Sequence, residues 1–262
     1  MTNYETVDYT LENGIATVRL NQPASLNAMT PTLGTELLEA IRRAATEARV
    51  LVIGAHGRAF SAGANLNTLT FELDDPERDI GTGLESTFNP MMELLRDYPI
   101  PVITAVKGAA AGIGCSIALM GDLIIAGKSA YFLQAFRHVG LVPDGGSAYI
   151  LTRAIGRVRA MEMMLLGQKY PAEKAYETGL ITRLVEDEAV DATAAALAAE
   201  LAAGPAFSLR GIRRATWAAY EMPFSEQLKE ERAQQRLATR TDDFVEGVKA
   251  FRERRKPVFT GK

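Results

Sequence analysis

From Val50 onward, short apolar runs alternate with helical stretches, and this alternation limits the chain to an α/β fold of repeated strand and helix units. Val50 to Ala55 reads as a buried strand. A helix over Leu84 to Arg96, a strand over Val102 to Val106 after Pro99 and Pro101, a helix near Cys115 to Met120 and a strand over Leu123 to Ala126 continue the pattern. Ahead of it, Tyr4 to Leu11 and Ile15 to Leu20 alternate apolar and polar residues around Asn13-Gly14, which predicts a hairpin. Thr30-Pro31, a capping hydroxyl before a proline at the first helical position, opens a helix whose apolar face is Leu33, Leu37, Leu38 and Ile41.

Past Gly146 the reading is mainly helical, with one β-like piece over Leu180 to Val185 and another ahead of it near Tyr131. The alanine run 192–199 reads as a surface helix of high propensity. Gly204-Pro205 breaks this helix and divides the chain into a core, 1–203, and a helical C-terminal region, 204–262. Between Asn67 and Gly83 the composition turns acidic and polar, as in a surface insertion or lid. The 262 residues suffice for one sizeable core.

Several function classes fall away. A net charge of −3 with dispersed Lys and Arg gives no stripe for nucleic acid. A single cysteine, Cys115, and an N-terminus without a basic and then apolar stretch point to the cytoplasm. The longest apolar stretches, such as Ala109 to Met120, are too short for a membrane span. His56 and His138 stand far apart with no cysteine cluster, so no metal site is expected.

Three stretches can carry chemistry. Gly57 to Leu66 follows a strand and is crowded with small residues, so its backbone can approach a ligand closely. Lys107 to Cys115 follows another strand and enters a helix, whose first amides lack intrahelical acceptors. Two such loops facing each other would hold one developing oxyanion, although each alone is as well explained as a tight strand-to-helix turn. In the third stretch, Gly140 to Gly146, Asp144 is an acid/base candidate or an ordinary helix N-cap. Burial would raise its pKa and a helix N-terminus would lower it, which leaves its protonation state open.

Taken together, in this order, the three stretches resemble the enoyl-CoA hydratase/isomerase (crotonase) family. Ala59 to Leu66 matches the family's small-residue loop, residues 107–115 its second glycine-rich loop, and Lys256 to Lys262 its C-terminal ending. The resemblance implies a crotonase-like spiral of ββα units, a helical trimerisation region over 204–262 that covers the active site, and a homotrimer or dimer of trimers. It implies an acyl-CoA thioester as substrate, with coenzyme A part of the substrate and no separate cofactor. Carried over by position, the oxyanion-hole amides would belong to Ala62 and Ile113. Leu26, Asn27 and Ala28 would lie where members wrap the CoA nucleotide, and Gly63, Ala64, Asn65, Leu66, Gly112, Gly114, Phe136 and Pro143 would line the substrate site.

Hydratases of the family use two glutamates, and at their positions this chain has Ser116 and Phe136. Asp144 instead matches the lone aspartate of ring-epoxide isomerases and some related isomerases. One carboxylate can remove a proton at one carbon and return it at another, which suits an acyl-CoA isomerase. A hydratase working through Asp144 with another water-activating group, and a catalytically silent acyl-CoA-binding or structural trimer, are the alternatives. Ser61 is expected to support its loop, and Cys115 to be a small packing residue.

Overall fold

The computed structural model describes residues 4–68 and 74–262. Two strands open the chain, β1 (Val7–Glu12) and β2 (Ile15–Leu20), paired antiparallel with Glu12 opposite Ile15. Asn13 and Gly14 both take positive φ, 51° and 76°, as the two-residue turn requires. Helix α1 (Pro31–Glu47) begins as the sequence indicates, with the Thr30 hydroxyl accepting from the Leu33 amide at 3.1 Å.

The remaining elements run β3 (Val50–Ala55), α2 (Gly81–Gly83), a π-helical turn (Leu84–Phe88), α3 (Asn89–Arg96), β4 (Val102–Val106), β5 (Ala109–Ala111), α4 (Ile113–Ala118), β6 (Leu123–Gly127) and β7 (Tyr131–Leu133). A 3-10 turn, Ala135–Val139, leads to α5 (Ser147–Ala154), α6 (Arg157–Leu166), β8 (Tyr170–Pro171), α7 (Ala172–Glu177) and β9 (Arg183–Val185). Helices α8 (Val190–Ala202), α9 (Ala206–Ala218), α10 (Phe224–Ala238) and α11 (Asp242–Glu253) complete the chain. The expected lid, 67–83, falls partly outside the described residues.

A six-stranded sheet, in the order β1-β2-β3-β4-β6-β9, is parallel from β2 onward, and a three-stranded sheet has the order β5-β7-β8. Each successive turn of chain lays one strand in the large sheet and one in the small sheet before a helix, as β4-β5-α4 and β6-β7-α5 do. Stacked turns of this kind make the spiral. The central strands β3 and β4 are buried on both faces. Leu51 and Ile53 of β3 and Val102 and Val106 of β4 point into the main core, while Val50, Val52, Ile103 and Ala105 point to a second cluster under α8.

That second cluster corrects the reading of the alanine run as a surface helix. Val190, Ala194 and Ala198, spaced by four, are at most 1% exposed and lie on the sheet. At 203–205 the chain bends by 111° between α8 and α9. Arg213 on α9, 6% exposed, donates to Asp122 at 2.8 Å and to the carbonyls of Arg96 and Tyr98 at 2.7 and 2.9 Å. It thereby satisfies carbonyls at the C-terminal end of α3 and fixes α9 to the core. Among the described residues no single helix is long and apolar enough to cross a membrane.

Candidate active site

The two small-residue loops meet. Ser61 pairs with Ala110 of β5 as an isolated bridge, its amide donating to Ala109 and its carbonyl accepting from Ala111, both at 2.9 Å. Beyond the bridge the chains cross at two glycines. A Cβ on Gly63 would stand 3.0 Å from the Ala111 carbonyl oxygen, and Gly63 and Gly112 both take positive φ, 92° and 52°, so glycine suits both crossing positions. Ser61, fully buried, braces the loop: its hydroxyl donates to the Asn27 carbonyl at 2.8 Å and accepts from the Gly63 amide at 3.2 Å.

Which amides stay available follows from pairing with the segment around Met29. The Ala62 amide donates to the Leu26 carbonyl at 2.9 Å, so the assignment of an oxyanion-hole amide to Ala62 is corrected: that donor is already used. Met29 accepts from the Asn65 amide at 3.0 Å and donates to the Gly63 carbonyl at 2.7 Å, which leaves the amide between them, that of Ala64, without an acceptor among the described residues. Ile113 is the first residue of α4, and the amides of Cys115 and Ser116 already share the Gly112 carbonyl. Its own amide is therefore free as well. Ala64 and Ile113 each follow one of the two crossing glycines, so the free donors flank the same crossing.

Two other expected contacts are corrected by burial. Asn27 is fully buried, and its amide group donates to the carbonyls of His56 and Ala59, both at 2.9 Å, while its Oδ1 accepts from Gln22 at 2.8 Å. Its side chain holds the turn 22–27 against the loop and has nothing left to offer a ligand; Leu26 and Ala28 beside it are half-buried. Gly114 is buried under Ser61, whose Cβ would be 2.5 Å from a Cβ placed there. Asn65 is half-buried and Leu66 exposed, both past the crossing.

Asp144 comes up beside α4. A Cβ on the next residue, Gly145, would lie 2.6 Å from Ile113 Cδ1 and 2.8 Å from Ser116 Cβ, and φ there is +57°, so glycine permits this close approach. The carboxyl does not cap α5, whose N-cap is Gly146. Asp144 Oδ1 is buried with no hydrogen-bond partner among the described residues, and burial pushes the acid up to about 6. Desolvation accounts for the direction of that shift. Pro143 is half-buried on one side, and Phe136 is 8% exposed with its ring 3.8 Å from the Cβ position of Gly112.

At the two positions matched to glutamates, neither residue can replace a carboxylate. Ser116 is fully buried with its hydroxyl within bonding distance of Ser147, Asp144 and Gly112, and Phe136 presents a ring. Ser147 and Gly145 were not singled out from sequence, although Gly145-Gly146 directly after an acid was a signal of close approach. Cys115 is fully buried and burial pushes its thiol up to about 12, consistent with packing alone. A cavity of about 570 Å³ between α9 and the core, lined by Leu119, Ile150, Leu180, Ile212 and Trp217, contains none of these groups.

With this geometry in place, comparison with known proteins decides the family. Residues 10–262 match the enoyl-CoA hydratase/isomerase family. The chain belongs to that family. It is 41% identical to the 1,2-epoxyphenylacetyl-CoA isomerase of Escherichia coli over 96% of this chain and 97% of that one. It is 38% identical to a probable enoyl-CoA hydratase of Rhodobacter capsulatus over 99% of this chain and all of that one. A solved Mycobacterium abscessus structure, described as an enoyl-CoA hydratase/isomerase, superposes with a TM-score of 0.93 at 32% identity, covering 98% of this chain and 100% of that one. The spiral is thus the crotonase fold of an enoyl-CoA hydratase/isomerase family enzyme, and the family acts on acyl-CoA thioesters.

Proposed function

We propose that this enzyme is an acyl-CoA isomerase in which the amides of Ala64 and Ile113 hold the thioester oxygen and Asp144 moves the proton. The observation that carries the reading is the lone acid. Asp144 has a buried, unpartnered carboxyl oxygen beside Ile113, while Ser116 and Phe136 offer no second carboxylate. With a 3-enoyl thioester, the carboxylate takes a proton from the α-carbon and the electron pair passes into the carbonyl, giving an enolate oxygen that the two amides stabilise. The protonated acid then returns the proton to the γ-carbon, and the double bond moves one position toward the thioester. With a ring-epoxide thioester, the same acid assists opening of the epoxide toward a ring-expanded product. Neither path consumes water, and neither requires a cofactor beyond the CoA of the substrate.

The relatives carry both names. The one at 41% identity is named an isomerase, and the one at 38% a hydratase. Exposed Leu66 and half-buried Leu26 and Ala28 give the CoA portion a path along the outside of the first loop. Region 204–262 would supply the oligomer contacts of a homotrimer or dimer of trimers. Large exposed apolar side chains there support this: Phe224 at 79%, Phe251 at 84% and Val258 at 74%.

The test is to offer 2-enoyl, 3-enoyl and ring-epoxide thioesters to the wild-type enzyme and to Asp144→Asn, following products by NMR. Isomerised product from the wild type, with kcat reduced by about 10³-fold in the variant, is expected. Turnover unchanged in Asp144→Asn would remove Asp144 from the mechanism.

A further inference from the structure

We propose that Ser116 and Ser147 are positioning residues, a buried pair of hydroxyls that locks the Asp144 backbone to the helix whose first residue supplies the Ile113 amide. This rests on the isomerase reading of Asp144 and asks what aims that acid. Its side chain has no hydrogen bond to hold it: Oδ1 lacks any partner among the described residues. The carboxyl must therefore be placed through its backbone. Ser116 lies one turn after Ile113 on α4, and Ser147 begins α5 three residues after Asp144. The pair thus links the two functional segments at equal offsets.

The geometry is closed. The two hydroxyl oxygens are 2.7 Å apart, Ser147 Oγ is 2.7 Å from the Asp144 carbonyl oxygen, and Ser116 Oγ is 3.2 Å from the same oxygen and 3.4 Å from the Gly112 carbonyl. Ser116 is 0% and Ser147 1% exposed, so no water competes for these bonds. Two arrangements of the two protons engage the Asp144 carbonyl. Either Ser147 donates to Asp144 and Ser116 to Ser147, or Ser147 donates to Ser116 and Ser116 to Asp144. In both, the Asp144 carbonyl is tied to α4. The missing side chain of Gly145 lets the segments close to this distance, since a Cβ there would fall 3.0 Å from Ser116 Oγ. The hydroxyl at the first glutamate-matched position thus positions the acid that remains.

If these serines only filled space, removing a hydroxyl would affect stability and leave the chemical step unchanged. If they position Asp144, the loss appears in kcat, because a base displaced by a fraction of an ångström still binds substrate but meets the proton badly. The experiment uses the full chain and the thioester that the wild type isomerises. Ser116→Ala, Ser147→Ala, the double variant and Ser116→Cys are compared for kcat, KM, pH profile and melting temperature. Cysteine keeps the shape of the side chain at a slightly larger volume while offering only a weak donor.

Each single variant is expected to lose about tenfold or more in kcat with KM within about twofold, and to shift the acid limb of the pH profile. The double variant is expected to be no slower than the worse single, since both break one bridge. Folded Ser116→Cys with full kcat and an unmoved pH profile would overturn the inference, as would losses that multiply in the double variant. Asp144→Asn separates the two levels. If it is inactive while Ser116→Cys and Ser147→Ala are fully active, only the serine inference fails; if it retains full turnover, the reading of Asp144 itself fails.

Discussion

The proposed oxyanion half and the proposed acid half of this site are made in opposite ways. The first is backbone: two chains crossing at Gly63 and Gly112, with the free amides of Ala64 and Ile113 selected by strand pairing and by a helix start. The second is one side chain, Asp144, whose buried Oδ1 has no hydrogen-bond partner among the described residues. A backbone half tolerates wide change in side chains and so belongs to a whole family. A half that depends on one carboxyl changes with a single substitution, and there a common enolate is diverted to one product or another.

The largest effect expected on the backbone half comes from replacing single amides by esters. An α-hydroxy acid in place of Ala64 removes a free donor and should lower kcat by about 10²- to 10³-fold. The same replacement at Ala62 removes a bond to Leu26 and should cost about 1 kcal/mol of stability with little change in kcat. Equal kinetic losses at the two positions would erase the distinction between them.

Gly145→Ala attacks the junction of the halves. The new methyl meets Ile113 and Ser116 at a φ of +57°, so a loss of about 1–3 kcal/mol in unfolding free energy and a fall in kcat of about tenfold are expected. An alanine enzyme as fast and as stable as the wild type would show that the close approach is unimportant.

On the acid half, the pH profile follows from the raised pKa. The base acts ionised, so kcat/KM should fall tenfold per unit below about pH 6, where Asp144 takes up its proton. A limb near the ordinary aspartate value would mean that the carboxyl is solvated. The smallest effect is on stability. A carboxyl whose folded pKa lies above its unfolded value favours the fold at low pH, and that contribution is lost as pH rises through the folded pKa. Asp144→Asn should therefore stabilise the fold above about pH 6, by on the order of 1 kcal/mol once partial exposure is discounted, with the gain vanishing below about pH 4. Denaturant melts at pH 4 and pH 8 would read this directly.

Much of the fold was legible because local chemistry and global pattern agree. Thr30-Pro31 starts α1, Asn13-Gly14 turns the hairpin, and the apolar runs are the parallel strands. Alanine gave less. The run in α8 has no apolar contrast to show that every fourth residue faces the sheet, and Ala109–Ala111, read as loop, is β5. Helix α11 falls in the helical region 204–262, and its start is marked by Thr241, which caps it through the Phe244 amide, and by Asp242 and Asp243 in its first turn. In the site, the loops and Asp144 could be found from sequence. The choice of Ala64 over Ala62 could not, because it depends on which amides Leu26 and Met29 occupy across the fold. The Ser116–Ser147 bridge likewise joins residues 31 positions apart.

The claim that one carboxylate makes this an isomerase is tested most directly by turnover of a 3-enoyl thioester in ¹⁸O-labelled water, with the products weighed. A shifted double bond with no gain in mass and no label is the result predicted. A 3-enoyl thioester left unshifted, while the 2-enoyl thioester gains a labelled hydroxyl, would contradict it and return the enzyme to the hydratases.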